Sequence, residues 1–244
     1  MSHWPAGYDR RLYDSIDSTL SEAARLAPQL TQPTWFLALE QTAARGRRGR
    51  LWSTKRGNFA SALLTPRRDG PERAALRSFV ASLALYQAFD KATGQAERFT
   101  LKWPNDVLLD GGKVAGILLE SLPAHLAIGI GVNLAHAPAP TEVEAGAVPP
   151  VSIATVLDQV IRPEDFLELL AAEYAILEER FVTYGFAVIR RAWLDRAARL
   201  GEEITARTTR AETRGVFEDV DDSGALILRT AQGRHAVSAA DVYF

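Results

Sequence analysis

The sequence predicts an α+β fold in which a domain of helices and strands is followed by a small antiparallel β-barrel. Three observations support this prediction. Helical and strand-like apolar patterns alternate over roughly the first 200 residues. Beyond them, short alternating segments are separated by turn residues. Of the 244 residues, 47% are hydrophobic and 24% are charged, a composition that supports a sizeable buried core.

The elements of the first domain follow from the spacing of apolar residues. Leu20 opens a short helix that Pro28 ends, and a long helix is predicted over 72–91. An amphipathic helix over 166–181 follows a proline-rich loop at 135–150. The predicted strands lie at 35–39, 59–64, 98–102, 106–109, 113–120 and 126–133, and the last four form a meander.

Turn residues separate the remaining predicted strands. Asp110-Gly111-Gly112 supplies glycines for the positive φ that a hairpin turn requires. The barrel strands are predicted at 204–208, 215–220, 225–230 and 234–237. We therefore place the domains at 1–197 and 198–244. Because so small a barrel is marginally stable alone, we expect it to pack on the first domain.

Composition excludes several classes of protein. The chain has no cysteine, so disulfides and thiolate metal sites are excluded. Its net charge of −2 argues against a surface built for nucleic acid. No apolar run is long enough to span a membrane, and no secretory signal is visible at the amino terminus. These features predict a soluble, cytoplasmic protein.

A short polar cluster, Ser18-Thr19-Leu20-Ser21-Glu22, lies at the predicted start of the first helix. One interpretation is a capping box with Thr19 as the N-cap and Glu22 reaching back to it. The other is a ligand site, because a helix N-terminus offers hydroxyl and amide groups to a polar ligand.

A basic segment follows the first predicted strand. Six of the twelve residues from Arg45 to Arg56 are basic and none is acidic, and Gly46 and Gly49 interrupt the run. A solvated loop is one interpretation. Mixed glycine and arginine also suit a loop that wraps around phosphates, and Trp52 is placed to stack on a base or to be buried.

Two further clusters carry lysines. In Lys-Trp-Pro-Asn-Asp at 102–106, a lysine ends a strand before a turn, which by itself is an ordinary structural pattern. In Lys-Val-Ala-Gly-Ile-Leu at 113–118, strand alternation predicts that Lys113 shares a face with Ala115 and Ile117. Lys113 is then either a strand-edge charge or a cation aimed at a ligand. Gly116 in mid-strand indicates close approach of a ligand.

Other familiar motifs fail on inspection. The segment Gly-Ile-Gly-Val-Asn at 129–133 lacks the third glycine of a dinucleotide fingerprint and opens no helix. Residues 111–113 lack the hydroxyl residue and the upstream glycine of a P-loop. The four histidines are scattered without metal-ligand spacing, so metal ligands stay unassigned.

Together, these segments resemble biotin protein ligases. The resemblance rests on Gln-x-x-x-Arg-Gly-Arg-Arg-Gly-Arg at 41–50, Lys-Trp-Pro-Asn-Asp at 102–106, Lys-x-x-Gly-Ile-Leu at 113–118 and Gly-x-Gly-x-Asn at 129–133. It implies a mixed sheet flanked by helices, like class II aminoacyl-tRNA synthetases, with an SH3-like barrel. It also implies two steps: ATP activates biotin to biotinyl-5′-AMP, and a lysine of a biotin carboxyl carrier domain then takes the biotinyl group.

The resemblance also implies a role for each matching residue, with biotin, ATP and Mg²⁺ as ligands. The basic loop is expected to order over the ligand. The catalytic residues are Lys113 and Arg45. Biotin is bound by Ser18, Thr19, Gln41, Arg45, Gly46, Arg47, Lys113 and Gly116. ATP is bound by Arg47, Arg48, Arg50, Trp52, Lys102, Asn105 and Asn133, with Trp52 against the adenine.

The chain departs from the family pattern at two positions: Ala44 replaces a usual glycine, and Leu20 replaces a frequent asparagine. It begins at the catalytic domain, so we expect no operator binding. The acidic charge balance and the lack of a long apolar run give the separate expectations of no nucleic-acid partner and no membrane contact. Homodimerisation is expected by the resemblance. The competing interpretations are a lipoate ligase, which shares the fold but lacks the arginine loop, and a nucleic-acid-binding module that uses that loop.

Overall fold

Two β-sheets and six helices make up the described part of the chain in the computed structural model. The structure describes residues 4–46, 49, 52, 55–144, 146–208, 211–238 and 240–243. Within these ranges, the strands are β1 Asp9–Tyr13, β2 Thr34–Ala38, β3 Phe59–Pro66, β4 Phe99–Lys102, β5 Asp106–Leu109, β6 Gly112–Ser121, β7 His125–Val132, β8 Glu203–Arg207, β9 Glu212–Val220, β10 Leu226–Thr230, β11 Gly233–Val237 and β12 Asp241–Tyr243. The helices are α1 Thr19–Leu26, α2 Pro71–Ala75, α3 Arg77–Thr93, α4 Ile153–Leu157, α5 Pro163–Tyr184 and α6 Phe186–Leu194.

The first sheet is mixed and has seven strands in the order β1-β2-β3-β7-β6-β5-β4. Only β1 and β2 pair in parallel among the described strands of this sheet, and the other neighbours are antiparallel. The last four strands are consecutive neighbours, so the predicted meander is confirmed. The coarse α+β prediction, with a separate antiparallel sheet at the carboxyl end, is also confirmed.

The two faces of this sheet are covered differently. On one face, α3 and α5 bury large side chains that include Phe59, Phe89 and Phe166, whose rings lie about 5 Å apart. On the other face, α1 covers a smaller apolar cluster centred on Leu20 and Phe36. Because α1 is only eight residues long, it leaves part of this second face open. That uncovered part of the sheet is where a ligand can approach the strands.

The second sheet is antiparallel, with the order β11-β10-β9-β8-β12, and it packs on the first domain. Its buried residues, such as Phe217 and Leu228, belong to the same continuous core as α3. Trp103 donates its indole N–H to the carbonyl of Gly224 at 3.0 Å. The backbone of Leu101 exchanges hydrogen bonds with Arg196 and Ala198, in the connection between α6 and β8. The expected packing of the small unit on the larger one is confirmed.

Several elements differ from the sequence predictions. The predicted helix over 72–91 is two helices, α2 and α3, which meet at Leu76. The strands β1 and β12 and the helices α4 and α6 were not predicted. Among them, β1 has four exposed residues of five and so lacks the buried alternation by which a strand is recognised.

Two local predictions were wrong in detail. The N-cap of α1 is Ser18 and not Thr19: its hydroxyl accepts the Ser21 backbone N–H, and the Glu22 carboxylate contacts Arg25 and Tyr13 instead of reaching back. In the turn between β5 and β6, positive φ occurs at Asp110 and Gly111, not at Gly112.

No helix among the described residues combines the length and the apolar character needed to cross a bilayer.

Gly224 tests the packing of the second sheet on the first domain. Its φ is +83°, and an added Cβ would lie 2.9 Å from Leu76 Cδ2 and 3.0 Å from Phe79 Cε2. Gly201 has φ +82° with open space around it, which makes it a matched control. We expect Gly201→Ala to cost about 1–2 kcal/mol from backbone strain alone, and Gly224→Ala to cost about 1–3 kcal/mol more from overpacking. Urea unfolding measures both, and equal losses would contradict the packing described.

Candidate active site

A cleft of about 1000 Å³ opens on the sheet face that α1 leaves uncovered. It collects residues that are far apart in the sequence. Every predicted site residue that the structure describes lines it: Ser18, Thr19, Gln41, Arg45, Gly46, Trp52, Lys102, Asn105, Lys113, Gly116 and Asn133. Arg47, Arg48 and Arg50, also predicted as ligand contacts, lie outside the described residues. The sequence motifs therefore converge on one place in the fold.

The floor of the cleft is a row of small residues that crosses the sheet. Gly116 of β6 pairs with Gly131 of β7, which pairs with Ala60 of β3. Paired residues of neighbouring strands point to the same face, so this row presents no bulky side chain to the cleft. Asp106 and Lys102 continue the same row on β5 and β4. The row is therefore flat and apolar on β3, β7 and β6, and it is charged on β5 and β4.

The Trp52 side chain lies on this floor. An added Cβ at Gly131 would be only 2.5 Å from the indole Nε1 and Cε2 atoms, and one at Gly116 would be 3.3 Å from Cζ3. Only glycine permits so close an approach of a flat ring to the strands. The Lys113 ammonium lies 5.7 Å from the indole centroid, within cation–π range. A flat ligand on this surface requires Trp52 to move.

Lys113 reaches the cleft because of a β-bulge. Leu108 pairs with Lys113 but Val107 pairs with Ala115, so Val114 is an extra residue in β6. The prediction that Lys113 shares a face with Ala115 and Ile117 was therefore wrong. Ala115 and Ile117 enter the core with α3, whereas the bulge turns Lys113 to the face of Gly116.

Asp106 is an ion-pair partner of this lysine. Its Oδ1 lies 2.8 Å from Lys113 Nζ, and its side chain is 12% exposed. The carboxylate holds the ammonium over the floor, because both groups are largely withdrawn from water and a buried charge needs a partner. Asp106 belongs to the Lys-Trp-Pro-Asn-Asp segment but was not among the predicted site residues. The spacing of the motif gave no indication that its last residue faces Lys113.

The start of α1 forms one end of the cleft. Thr19 donates both its backbone N–H and its hydroxyl to Gln41 Oε1, at 2.7 and 3.0 Å. Ser18 and Thr19 are buried, and Asp17 accepts two hydrogen bonds from Arg25, which lower its pKa to about 2. These hydroxyl and amide groups form a polar end suited to a small neutral polar ring.

Leu20, one of the two departures from the family pattern, has a packing role. An added Cβ at Gly129 would lie 2.6 Å from Leu20 Cδ1, so this leucine rests directly on β7 beside the floor.

Ala44, the other departure, is buried, and its carbonyl accepts the Trp52 backbone N–H at 3.1 Å. That hydrogen bond connects residue 44 with residue 52, within the stretch that carries the arginines.

Arg45 follows Ala44 in the chain, and two side chains bind its guanidinium. Its Nε and Nη2 donate to the two carboxylate oxygens of Glu120 at 3.1 and 3.0 Å, and its Nη1 donates to the Ser21 hydroxyl at 2.9 Å. Glu120 was not predicted as a site residue. Strand alternation from Gly116 places it on the cleft face, which is the signal that was available in the sequence.

The opposite end of the cleft carries amides and acidic residues. Asn105 donates to the carbonyl of Ile117, and Asn133 donates to the carbonyl of Val151. Asn133 Oδ1 is buried and accepts no hydrogen bond from the described residues. The loop after β7 and the last strand complete the lining with Glu142, Val143, Glu144, Asp241, Val242 and Tyr243. The second sheet thus contributes directly to the cleft, which the sequence did not predict.

Comparisons with known proteins agree with this geometry. The model of the biotin/lipoate A/B protein ligase family matches residues 12–133, and that of the biotin protein ligase C-terminal domain matches 200–244. A biotin–[acetyl-CoA-carboxylase] ligase of Paracoccus denitrificans is 55% identical, with 93% of this chain and 97% of that protein covered. The bifunctional ligase/repressor BirA of Bacillus subtilis is 31% identical, with 94% and 72% covered.

A solved structure shares the fold. The biotin protein ligase of Aquifex aeolicus, in complex with biotin and ATP, superimposes with a TM-score of 0.84 over 96% of this chain and 98% of that one, at 22% identity. A protein ligase is the class that the fold and the cleft define, and the chain belongs to the biotin/lipoate A/B protein ligase family. The expected resemblance to its biotin ligases is confirmed.

Gly131→Ala tests the placement of Trp52. The added methyl would overlap the indole, so Trp52 must leave the floor and become more accessible to water. We expect stronger acrylamide quenching of tryptophan fluorescence, and Trp52→Phe in the same background should remove the difference. Gly70→Ala, which adds a methyl in open space, is the control. Unchanged quenching in Gly131→Ala would show that Trp52 does not occupy the floor.

Proposed function

We propose that this protein is a biotin protein ligase that adenylates biotin with ATP and transfers the biotinyl group to a lysine of a biotin carboxyl carrier domain. The convergence of Lys113, Gly116, Gln41 and Asn133 on one cleft carries the proposal. Matches to biotin ligases over nearly the whole chain support it, and the match of the C-terminal model favours biotin over lipoate.

The polar end of the cleft suits the ureido ring of biotin. Ser18, Thr19 and Gln41 supply hydroxyl and amide groups, and the adjoining floor supplies apolar surface for the valeryl chain. In this arrangement the carboxylate of biotin points along the row from Gly131 through Gly116 towards Lys113. Binding fixes the reacting acid relative to the nucleotide, which removes much of the entropic cost of bringing two molecules together.

The first step joins two anions, and fixed cations make their approach favourable. A carboxylate oxygen attacks the α-phosphorus of ATP, the bond to the β-phosphate oxygen breaks, and pyrophosphate leaves. Lys113 lies where it can hold the carboxylate oxygen, and Lys102 lies at the nucleotide end of the same row. Preorganised donors of this kind contribute about 2.7–4 kcal/mol each to transition-state stabilisation.

The second step transfers the acyl group. The amine of the carrier lysine attacks the acyl carbon of the mixed anhydride, AMP leaves with the bonding electron pair, and the nitrogen loses a proton. Lys113 stays beside the acyl oxygen and stabilises the charge that develops there. On the family resemblance, the basic segment 45–56 is the proposed cover of the intermediate, although six of its residues lie outside the described part of the chain. Such a cover would exclude water, which otherwise hydrolyses the anhydride.

Mg²⁺ is proposed as the metal that accompanies ATP. Among the described residues, no group of three or more acidic or histidine side chains is arranged to hold a metal ion. The phosphates of ATP would then supply most of the ligands to the metal. Asn133 Oδ1, a buried acceptor without a donor among the described residues, is a suitable oxygen ligand beside them. When bound, the metal neutralises phosphate charge.

Other features are proposed on the family resemblance. The first sheet and its helices would correspond to the class II aminoacyl-tRNA synthetase architecture, and the second sheet to an SH3-like barrel, with the boundary at 197/198. The protein would form homodimers and act in the cytoplasm. Light scattering at high concentration tests the dimer.

Biotin-dependent exchange of labelled pyrophosphate into ATP tests the function. We expect exchange in the wild-type protein with biotin and no exchange with lipoate. Lys113→Ala should reduce the rate by about 100-fold or more, the effect expected when a preorganised charge is removed.

Thermal unfolding of both proteins is the control, because Lys113→Ala also leaves Asp106 without its ion-pair partner. Exchange at the wild-type rate in a folded Lys113→Ala protein would exclude Lys113 from the mechanism. Absence of exchange in the wild-type protein would refute the proposed function.

A further inference from the structure

We propose that Leu20 is a specificity-determining residue: seated on Gly129, it forms the wall that limits the size of the ring system accepted at the polar end of the cleft. This inference deepens the proposed function and rests on it, because it concerns the ring of the acid that the protein activates.

The glycine at position 129 provides space for Leu20. Gly129 lies within β7 and is not among the described glycines with positive φ, so its backbone conformation is one that any residue adopts. An added Cβ would, however, lie 2.6 Å from Leu20 Cδ1 and 2.9 Å from Leu20 Cγ. These distances are well below a van der Waals contact between carbon atoms. The leucine side chain therefore occupies the volume that a strand side chain normally fills.

Leu20 ends the flat floor of the cleft. Gly129 and Gly131 point to the same face of β7, about 7 Å apart along the strand. Gly131 belongs to the floor row, whereas the row of Gly129 continues with Leu118 on one side and Ala62 on the other. Leu20 packs with these two residues in the apolar cluster beneath α1, and only 4% of it is exposed. A ligand that lies on the floor therefore meets Leu20 at its α1 end.

The hydrogen bonds of the polar end also hold this wall in place. Thr19 donates its backbone N–H and its hydroxyl to Gln41 Oε1. In the same turn of α1, the Glu22 backbone N–H donates to the Ser18 carbonyl at 2.9 Å. Leu20 lies between these bonds, so its backbone withdraws from the sheet only if they break. A fixed wall selects by size, since a ligand that is too large must displace a buried side chain from a packed cluster.

The polar groups and the leucine contact different parts of a fused ring system. Ser18, Thr19 and Gln41 offer the hydroxyl and amide groups that a ureido ring requires. Leu20 offers only methyl groups, so it faces the apolar, sulfur-containing ring of biotin. In an apolar pocket, one methylene group more or less changes discrimination between ligands by about 10- to 200-fold. Leu20 therefore determines how bulky the sulfur-containing ring can be.

The affinities for biotin and for biotin sulfone test this inference in the full-length protein. The sulfone carries two additional oxygen atoms on the ring sulfur, and its ureido ring and acid are unchanged. Isothermal titration calorimetry gives the ratio of its Kd to that of biotin, which we expect to be well above one. Leu20→Ala should lower this ratio by about tenfold, because the added oxygen atoms gain room. Leu20→Val, which removes less volume and perturbs the helix less, should lower it by a smaller factor.

Gly129→Ala tests the same contact from the strand. The added methyl pushes Leu20 towards the ligand, so the Kd for biotin should rise by about tenfold. When Gly129→Ala is combined with Leu20→Ala, the methyl at position 129 fills part of the vacated space. The affinity for biotin should then return towards the wild-type value, because the two residues act through one contact.

Leu26→Ala is the matched control. Leu26 belongs to the same helix and the same apolar cluster as Leu20, but it is not among the described residues that line the cleft. The substitution removes the same atoms, so it should lower the unfolding temperature and leave the ratio of Kd values unchanged.

Three results would overturn the inference. A wild-type protein that binds the sulfone as tightly as biotin would show that the wall sets no limit. An unchanged ratio in folded Leu20→Ala and Leu20→Val proteins would show that the ring does not meet this leucine. An equal change in Leu26→Ala would show that the helix as a whole, and not this contact, controls the ratio. If the wild-type protein binds no biotin at all, it is the proposed function that fails instead.

Discussion

The rest of the cleft depends on the absence of side chains at Gly116 and Gly131, which lets a flat ring lie directly on the strands. These residues face one another on β6 and β7, and with them the sheet offers a flat surface in place of a layer of side chains. A methyl group at either position would meet the Trp52 ring. At this surface the start of α1, the described residues Arg45, Gly46 and Trp52, and the two lysines all line one cleft. The glycines thus turn an ordinary sheet face into a site for a flat ligand.

Charge placement then follows from the same strands. Lys102 and Asp106 extend the glycine row, and the bulge at Val114 brings Lys113 beside Asp106. A regular β6 would have directed this lysine towards the opposite, helix-covered face, where its charge has no role and a high cost of burial. The β-bulge at Val114 is therefore the reason that Lys113 faces the cleft and not the helix-covered side of the sheet.

The sequence predicted which residues line the cleft better than it predicted the directions and partners of their side chains. The four-strand meander and the helices around it followed from apolar spacing, and the motif residues do line one cleft. The bulge was missed because alternation assumes a regular strand, so Lys113 was placed on the wrong face. Asp106 and the β12 residues were missed because their roles come from pairing and packing between distant segments, for which no local pattern exists. Glu120 was missed although strand alternation from Gly116 places it on the cleft face. The strand β1 was missed because its residues are exposed.

A crystal structure with biotin and a non-hydrolysable ATP analogue tests the central claim most directly. The glycine floor is predicted to carry the biotin chain, with Trp52 displaced from Gly131 and the carboxylate within about 3 Å of Lys113 Nζ, an ordinary charge-assisted hydrogen bond. Ligand density elsewhere, with the indole still resting on Gly131, would contradict the account.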